Sequence, residues 1–202
     1  MKKLSFLLAG LFIMSAFTVS AQKLTSGNFK MLKGEKVINL QYDYDNMAVG
    51  KFKKEQDYVT DGIADRNKKK AGSGDEWGKK WVSDRNERFE PRFETNLNDA
   101  IIKNDVMCKK DAKDAKYTLI VKTLFTEPGF NVGVMRQDAW IKMVVDVVET
   151  ANPVTVLGSM EMKKLPSKNM FELDYDTGAR IESCYDRAGD ELGKFLNKYA
   201  FK

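Results

Sequence analysis

Hydrophobic and polar residues alternate from Tyr117 to Lys163, and turn signals at Glu127–Gly129 and Thr150–Pro153 interrupt the alternation twice. A period of two with many β-branched residues is typical of half-buried β-strands. The pattern therefore predicts an antiparallel meander of three strands. The residues predicted to face its buried side are Tyr117, Leu119, Val121, Thr123, Phe125, Ile141, Met143, Val145, Val147, Val154, Val156, Met160 and Met162.

One further strand is predicted before the meander. Ile38, Leu40, Tyr42 and Tyr44 alternate with polar residues, and Gly50 follows as a breaker. This alternation predicts a strand with one buried face and one face in water.

Helical spacing predicts two helical segments between this strand and the meander. The first, from Lys54 to Asn67, has a weak apolar pattern, and the second begins at Ser73, where S-x-x-E matches a capping box. Pro91 interrupts the second segment, so we expect a kink or two abutting helices near Glu90. Its apolar residues, at multiples of four, are Trp77, Trp81, Phe89, Phe93, Leu97 and Ile101.

The C-terminal segment predicts a final helix, capped by Asp176 or Thr177. Its apolar stripe consists of Ile181, Cys184, Tyr185, Ala188, Leu192, Phe195 and Tyr199. The order of elements is then β-α-β-β-β-α. It predicts one α+β domain over residues 22–202, a sandwich of a mainly antiparallel four-stranded sheet with the helices packed on one face.

The N-terminus has the pattern of a secretory signal peptide. Lys2 and Lys3 precede an apolar run from Leu4 to Phe17, and small residues end at Ala21, so cleavage is expected before Gln22. The apolar run is shorter than a membrane-spanning helix, and no cysteine follows the cleavage site to carry a lipid. We therefore expect a periplasmic or secreted protein with no integral membrane segment after cleavage.

Charge gives no support for nucleic-acid binding. Loss of the two signal-peptide lysines takes the formal charge from +5 to +3, with the charges interspersed. The basic cluster Lys68–Lys70 is typical of a solvated loop, although it could also contact an acidic partner.

The two cysteines, Cys108 and Cys184, leave two readings open. Export to an oxidising compartment favours a disulfide. The predicted topology instead places them far apart, and Cys184 lies on an apolar helical stripe, where a free thiol behaves as a small hydrophobe.

The chain contains no histidine, which excludes histidine-based nucleophile activation and imidazole zinc sites. It also lacks the phosphate-binding and nucleophile-elbow motifs, so we expect no cofactor and no metal. Asp43 and Asp45 lie two apart on a predicted strand, and such a pair could serve glycoside hydrolysis. The alternative is a solvated strand face.

The second face of the meander carries the candidate binding residues. A sheet face with this much apolar surface is seldom left bare. Either the 164–176 loop and the N-terminal segment cover it with Phe171 and Phe29, or it meets a protein partner or a second copy with Trp140 as anchor. The candidates on this face are Ile120, Leu124, Trp140, Val144, Val148 and Leu157, and the loop between the first two strands adds Phe130 and Val132.

The run from LKGEKVINLQYDYDN to the GFNVGV loop resembles secreted proteins of Bacteroidetes. The order of elements is similar to that of small periplasmic domains of the TolB N-terminal and CsgG type. This resemblance covers most of the chain and implies an envelope-associated binding or assembly role without catalysis. It carries over no catalytic residue. The alternative function is a carboxylate-dependent hydrolase acting on envelope polysaccharide.

Overall fold

A computed structural model describes residues 22–132, 135–168 and 176–202, so the predicted signal peptide and Phe171 lie outside the described residues. The described part is a mixed α+β fold. Its strands are β1 (Gln22–Gly27), β2 (Val37–Asp43), β3 (Ala48–Val49), β4 (Met107–Lys110), β5 (Tyr117–Glu127), β6 (Phe130–Val132), β7 (Met135–Gln137), β8 (Trp140–Glu149) and β9 (Asn152–Pro166). Its helices are α1 (Glu55–Lys69), α2 (Ser73–Asp84), α3 (Glu90–Ile101) and α4 (Thr177–Tyr199).

The predicted meander is confirmed. β5 pairs antiparallel with β8, and β8 pairs antiparallel with β9. The strand predicted before the meander is β2, which lies parallel to β5. The helical segment between β2 and β5 therefore forms a parallel crossover connection.

The predicted four-stranded, mainly antiparallel sheet is wrong, because the sheet is mixed and has seven strands. Its order is β1-β9-β8-β5-β2-β4, and the short β3 pairs parallel with β5. β1 extends one edge and β4 the other, although the sequences QKLTSG and MCKK are short and polar. Edge strands are often short and charged, and their pairing with a neighbour stabilises them without a clear apolar alternation.

Two of the four register shifts in the meander change which of the predicted residues face the core. The register of β5 against β8 slips between Thr123 and Phe125, so Phe125 lies on the face opposite to the predicted one. A second slip places Val156 opposite Val148 on that same face. Val154 lies beyond this slip and is 89% exposed, contrary to the prediction.

The predicted interruption near Glu90 is confirmed as a π-helical turn at Arg85–Phe89, which joins α2 to α3. Pro91 is in the first turn of α3, where its missing N–H costs little. π-Helical turns inside helices often occur at functional sites. Glu90, directly after this turn, contacts Lys110 of β4 and Tyr44, which follows β2.

The predicted start of α2 at Ser73 is confirmed, but the predicted capping box is wrong. The Ser73 hydroxyl donates to the carbonyl oxygens of Arg66 and Lys70, at 3.1 and 2.8 Å, and so satisfies acceptors at the end of α1. The side chain of Asn67 accepts from the Gly74 N–H at 2.8 Å. Gly72 closes the turn with φ of 82°, a conformation that glycine adopts without strain.

The core lies between the helices and one face of the sheet, as predicted. Phe29 belongs to this core and meets Phe195 of α4 with ring centroids 5.1 Å apart, so it does not cover the opposite face of the sheet. Asp176 caps α4 by accepting the Gly178 N–H at 2.9 Å, which confirms that prediction. The largest fully buried side chains are Phe29, Leu32, Ile38, Leu40, Phe93, Leu97, Ile101, Leu119, Ile141, Met143, Tyr185 and Phe195.

Candidate binding surfaces

The face of the sheet opposite the core carries an aromatic pair. The half-buried side chains of Phe125 and Trp140 stack with centroids 4.4 Å apart and planes at 28°. Lys164 Nζ lies 5.5 Å from the indole centroid, which is within cation–π range. Val144 is also half-buried on this face. We call Phe125, Trp140 and Val144 the Trp140 patch.

Two ion pairs lie beside the Trp140 patch. Lys122 pairs with Asp146 and Lys142 pairs with Glu161, both with N···O distances of 2.8 Å. Hydrogen bonding to Lys142 is the main reason why the pKa of Glu161 lies below its usual range. An apolar centre with a polar rim is the usual anatomy of a protein interface.

Only part of the predicted face is exposed. Trp140 and Val144 lie on it as predicted, whereas Ile120 is only 9% exposed and Val148 is fully buried. Leu157 is the extra residue of the second bulge and packs against the core cluster, so the bulge removes it from the predicted face. Among the predicted candidates on the strands of this face, Trp140 and Val144 therefore keep accessible surface, and Val156, which the bulge moves onto this face, is 47% exposed.

The predicted loop after β5 forms a small hairpin of β6 and β7. Phe130 is 40% exposed there, while the side chain of Val132 lies outside the described part. Arg180 holds the base of the hairpin, because its Nε and one Nη donate to the carbonyl oxygens of Pro128 and Gly129, each at 3.2 Å. The hairpin is thus tied to α4.

Asp43 and Asp45 do not share a strand. β2 ends at Asp43, whose Oδ1 accepts the Asp45 N–H at 2.8 Å. This contact is an Asx turn, in which an aspartate side chain closes the backbone after a strand. The geometry assigns the pair to the turn and gives no support to the paired-carboxylate hypothesis.

A cleft of about 530 Å³ lies along the outer edge of β2, and the sequence did not predict it. β4 pairs with β2 only as far as Leu40, opposite Lys110, whereas β2 continues to Asp43. The backbone of Asp111 has φ of 60°, and β4 ends before it. In the described part of the chain, the last residues of β2 therefore have no strand partner on this edge.

The π-helical turn forms one wall of the cleft and places Glu90 in it. Glu90 is buried, its carboxylate pairs with Lys110 Nζ, and its Oε1 accepts the Tyr44 hydroxyl at 3.2 Å. The Tyr42 hydroxyl donates to the Glu90 carbonyl oxygen at 3.2 Å. Burial, with help from nearby carboxylates, raises the pKa of Tyr42 well above its usual value, so this phenol stays neutral.

The other wall consists of hydroxyl and amide side chains. Asn39 Nδ2 donates to Thr118 Oγ1 at 3.0 Å, and Thr118 Oγ1 lies 2.9 Å from Thr150 Oγ1. Asn39 is 7% exposed, and its Oδ1 has no hydrogen-bond partner among the described residues. An unsatisfied buried acceptor costs about 1–3 kcal/mol.

Pro91 is the one sequence feature that pointed to this cleft, because it predicts an interruption of the helix next to Glu90. The alternation of Tyr42 and Tyr44 indicates a strand face but not an open edge. Across the described ranges, no group of three or more acidic or thiol side chains could hold a metal ion. No helix there is long and apolar enough to cross a bilayer.

No family model and no curated protein matches the chain. Among solved structures, the chain is similar to the PelC dodecamer from Paraburkholderia phytofirmans, with 10% identity, 85% of this chain and 97% of that chain covered, and a TM-score of 0.40. It is also similar to protein XCC0632 from Xanthomonas campestris, with 10% identity, 80% and 83% covered, and a TM-score of 0.34. Similarity at this level gives no information about the function of this chain.

Proposed function

We propose that the protein is an exported binding or assembly module of the cell envelope, without catalytic activity of its own. The N-terminal pattern of charged, apolar and small residues supports export. The lack of histidine and the turn role of Asp43 support a binding role rather than hydrolysis. The resemblance to small periplasmic domains points in the same direction.

The observation that carries this proposal is the Trp140 patch. Aromatic side chains at the centre of a protein interface contribute much of its binding energy. Here the half-buried Phe125–Trp140 stack lies beside two ion pairs on a sheet face that no described helix covers. The partner is a protein surface, and a second copy of the chain is the first one to test.

The experiment compares the chain with its Trp140→Lys and Val144→Lys variants, since Val144→Lys leaves the aromatic stack in place. Sedimentation velocity over a range of concentrations measures self-association, and pull-down from a cell-envelope extract measures capture of other proteins. Both variants should reduce association at least tenfold, roughly the effect of losing one interface anchor.

Val154→Lys is the matched control, because it puts the same charge on an exposed valine of the same sheet, away from the patch. It should associate like the unchanged chain. If Trp140→Lys and Val144→Lys both fold, as judged by circular dichroism, and associate like the control, the proposal is wrong.

A further inference from the structure

We propose a second binding site, independent of the Trp140 patch: the open edge of β2 accepts an extended peptide segment of a partner protein as an added strand. A strand edge with unpaired main-chain groups pairs readily with another chain. The cleft along this edge has a volume of about 530 Å³, within the range of ligand pockets.

The direction of the main-chain groups of β2 follows from one hydrogen bond. The Lys36 carbonyl oxygen accepts the Met107 N–H at 2.9 Å, so Lys36 directs its carbonyl toward β4. Every second residue of a strand directs its N–H and C=O to the same edge. Tyr42 therefore directs both groups outward, beyond the point where β4 stops pairing at Leu40.

The shape of the cleft fits a strand rather than a small molecule. Successive side chains of an added strand point to opposite faces of the sheet, so a peptide needs room on both faces. The cleft provides this room: Asn39, Gln41 and Thr118 line it on the face opposite the core, and Val82, Arg85 and Glu90 line it on the helix side.

The connectivity of the sheet explains why this edge is open. β4 and β5 are both parallel to β2 and lie on either side of it, so the chain after Lys110 has to cross β2 to reach Tyr117. Asp111 and Lys113 of this connector line the cleft together with Thr118. The connector thus moves away from the edge of β2 after Leu40. The main-chain groups of Tyr42 therefore face the cleft.

The test selects a phage-displayed library of random peptides against residues 22–202. Selected peptides should bind about tenfold more weakly to Val82→Arg, which fills the helix side of the cleft. N-methylation of each peptide amide in turn should identify one position where binding weakens roughly fivefold to tenfold, because the methyl group there removes the main-chain hydrogen bond to the Tyr42 carbonyl oxygen. Bound peptide should also slow hydrogen exchange of the Tyr42 amide.

Val154→Arg is the matched control, since both valines are exposed, 50% for Val82 and 89% for Val154. Gln41→Arg is the second cleft variant if Val82→Arg does not fold. The inference is overturned if no peptide is selected, or if all selected peptides bind the cleft variants as tightly as the control. Peptides that bind in the cleft but tolerate N-methylation at every amide also overturn it. Each of these outcomes leaves the test of the Trp140 patch unaffected.

Discussion

The ring of Phe125 stacks on the indole of Trp140 with centroids 4.4 Å apart, which joins β5 to β8 on the face away from the core. The bulge in β5 makes this contact possible, because it brings Phe125 next to the strand position of Trp140. Both side chains remain half-buried, so the stack combines local stabilisation with an apolar surface available for binding.

The first prediction is that Phe125 and Trp140 are energetically coupled. A double-mutant cycle of Phe125→Ala and Trp140→Ala, measured by urea unfolding, should give a coupling free energy of about 1 kcal/mol, as expected for a stacked aromatic pair. The control cycle of Trp140→Ala with Val154→Ala should be additive. Additivity within about 0.3 kcal/mol for the aromatic pair would contradict the prediction.

The second prediction concerns the ion pair between Lys110 and Glu90. The Glu90 side chain is 6% exposed and that of Lys110 is 38% exposed, so removing the lysine leaves a buried charge, whereas removing the acid leaves an ammonium that reaches water. Lys110→Met should therefore lower the free energy of unfolding by about 3 kcal/mol and Glu90→Gln by about 1–2 kcal/mol.

The control for this pair is Lys109→Met, which makes the same change at the neighbouring exposed lysine of β4 and should change stability by less than about 0.5 kcal/mol. Chemical denaturation of all three variants near neutral pH tests the order of effects. If Glu90→Gln lowers the free energy of unfolding more than Lys110→Met does, the prediction is wrong. The buried Glu90 carboxylate would then not need Lys110 to compensate its charge.

The long elements of the fold were predictable because they bury one face regularly. The meander shows a period of two, and the stripe of α4 shows helical spacing, both of which burial imposes on a sequence. β1 and β4 were not predictable in this way. Each is an edge strand of a few mostly polar residues, formed because a neighbouring strand offers it main-chain partners.

The candidate site was predictable only in part, because the register of the strands determines which residues lie on the face away from the core. Trp140 and Val144 lie on the predicted face, but bulges move Phe125 onto that face and Leu157 away from it. A bulge adds one residue to a strand and has no distinctive residue pattern. A prediction from alternation therefore assigns the residues beyond the bulge to the wrong face of the sheet. The cleft depends on where β4 stops pairing with β2, which no local pattern signals.

The third prediction concerns the two cysteines, which are both free and fully buried. Burial raises the pKa of the Cys108 thiol to about 12 and that of the Cys184 thiol still further, so neither forms a reactive thiolate at neutral pH. A thiol-specific reagent should label neither cysteine in the folded chain and both in urea, with intact mass as the measurement. Unfolded chain that takes up no label without reductant would instead indicate a disulfide.

The last prediction is a pH dependence at the start of α4. Burial is the largest single influence on the pKa of Asp176 and tends to raise it. The hydrogen bond and charge of Arg88, with an N···O distance of 2.9 Å, together with the backbone N–H groups of Gly178 and Ala179, outweigh burial and hold the pKa below the usual 3.8. A lowered pKa in the folded state stabilises the fold above the unfolded-state pKa, and this stabilisation is lost as pH falls through the folded-state value. Asp176→Asn keeps a capping side chain but loses the charge, so it should be less stable near neutral pH by up to about 1 kcal/mol.

Urea unfolding at decreasing pH should show this difference in stability shrinking below pH 3.8, and Arg88→Gln should reduce the difference at every pH. A difference that stays constant into acid would mean that the ion pair with Arg88 contributes nothing to the stability of this helix start.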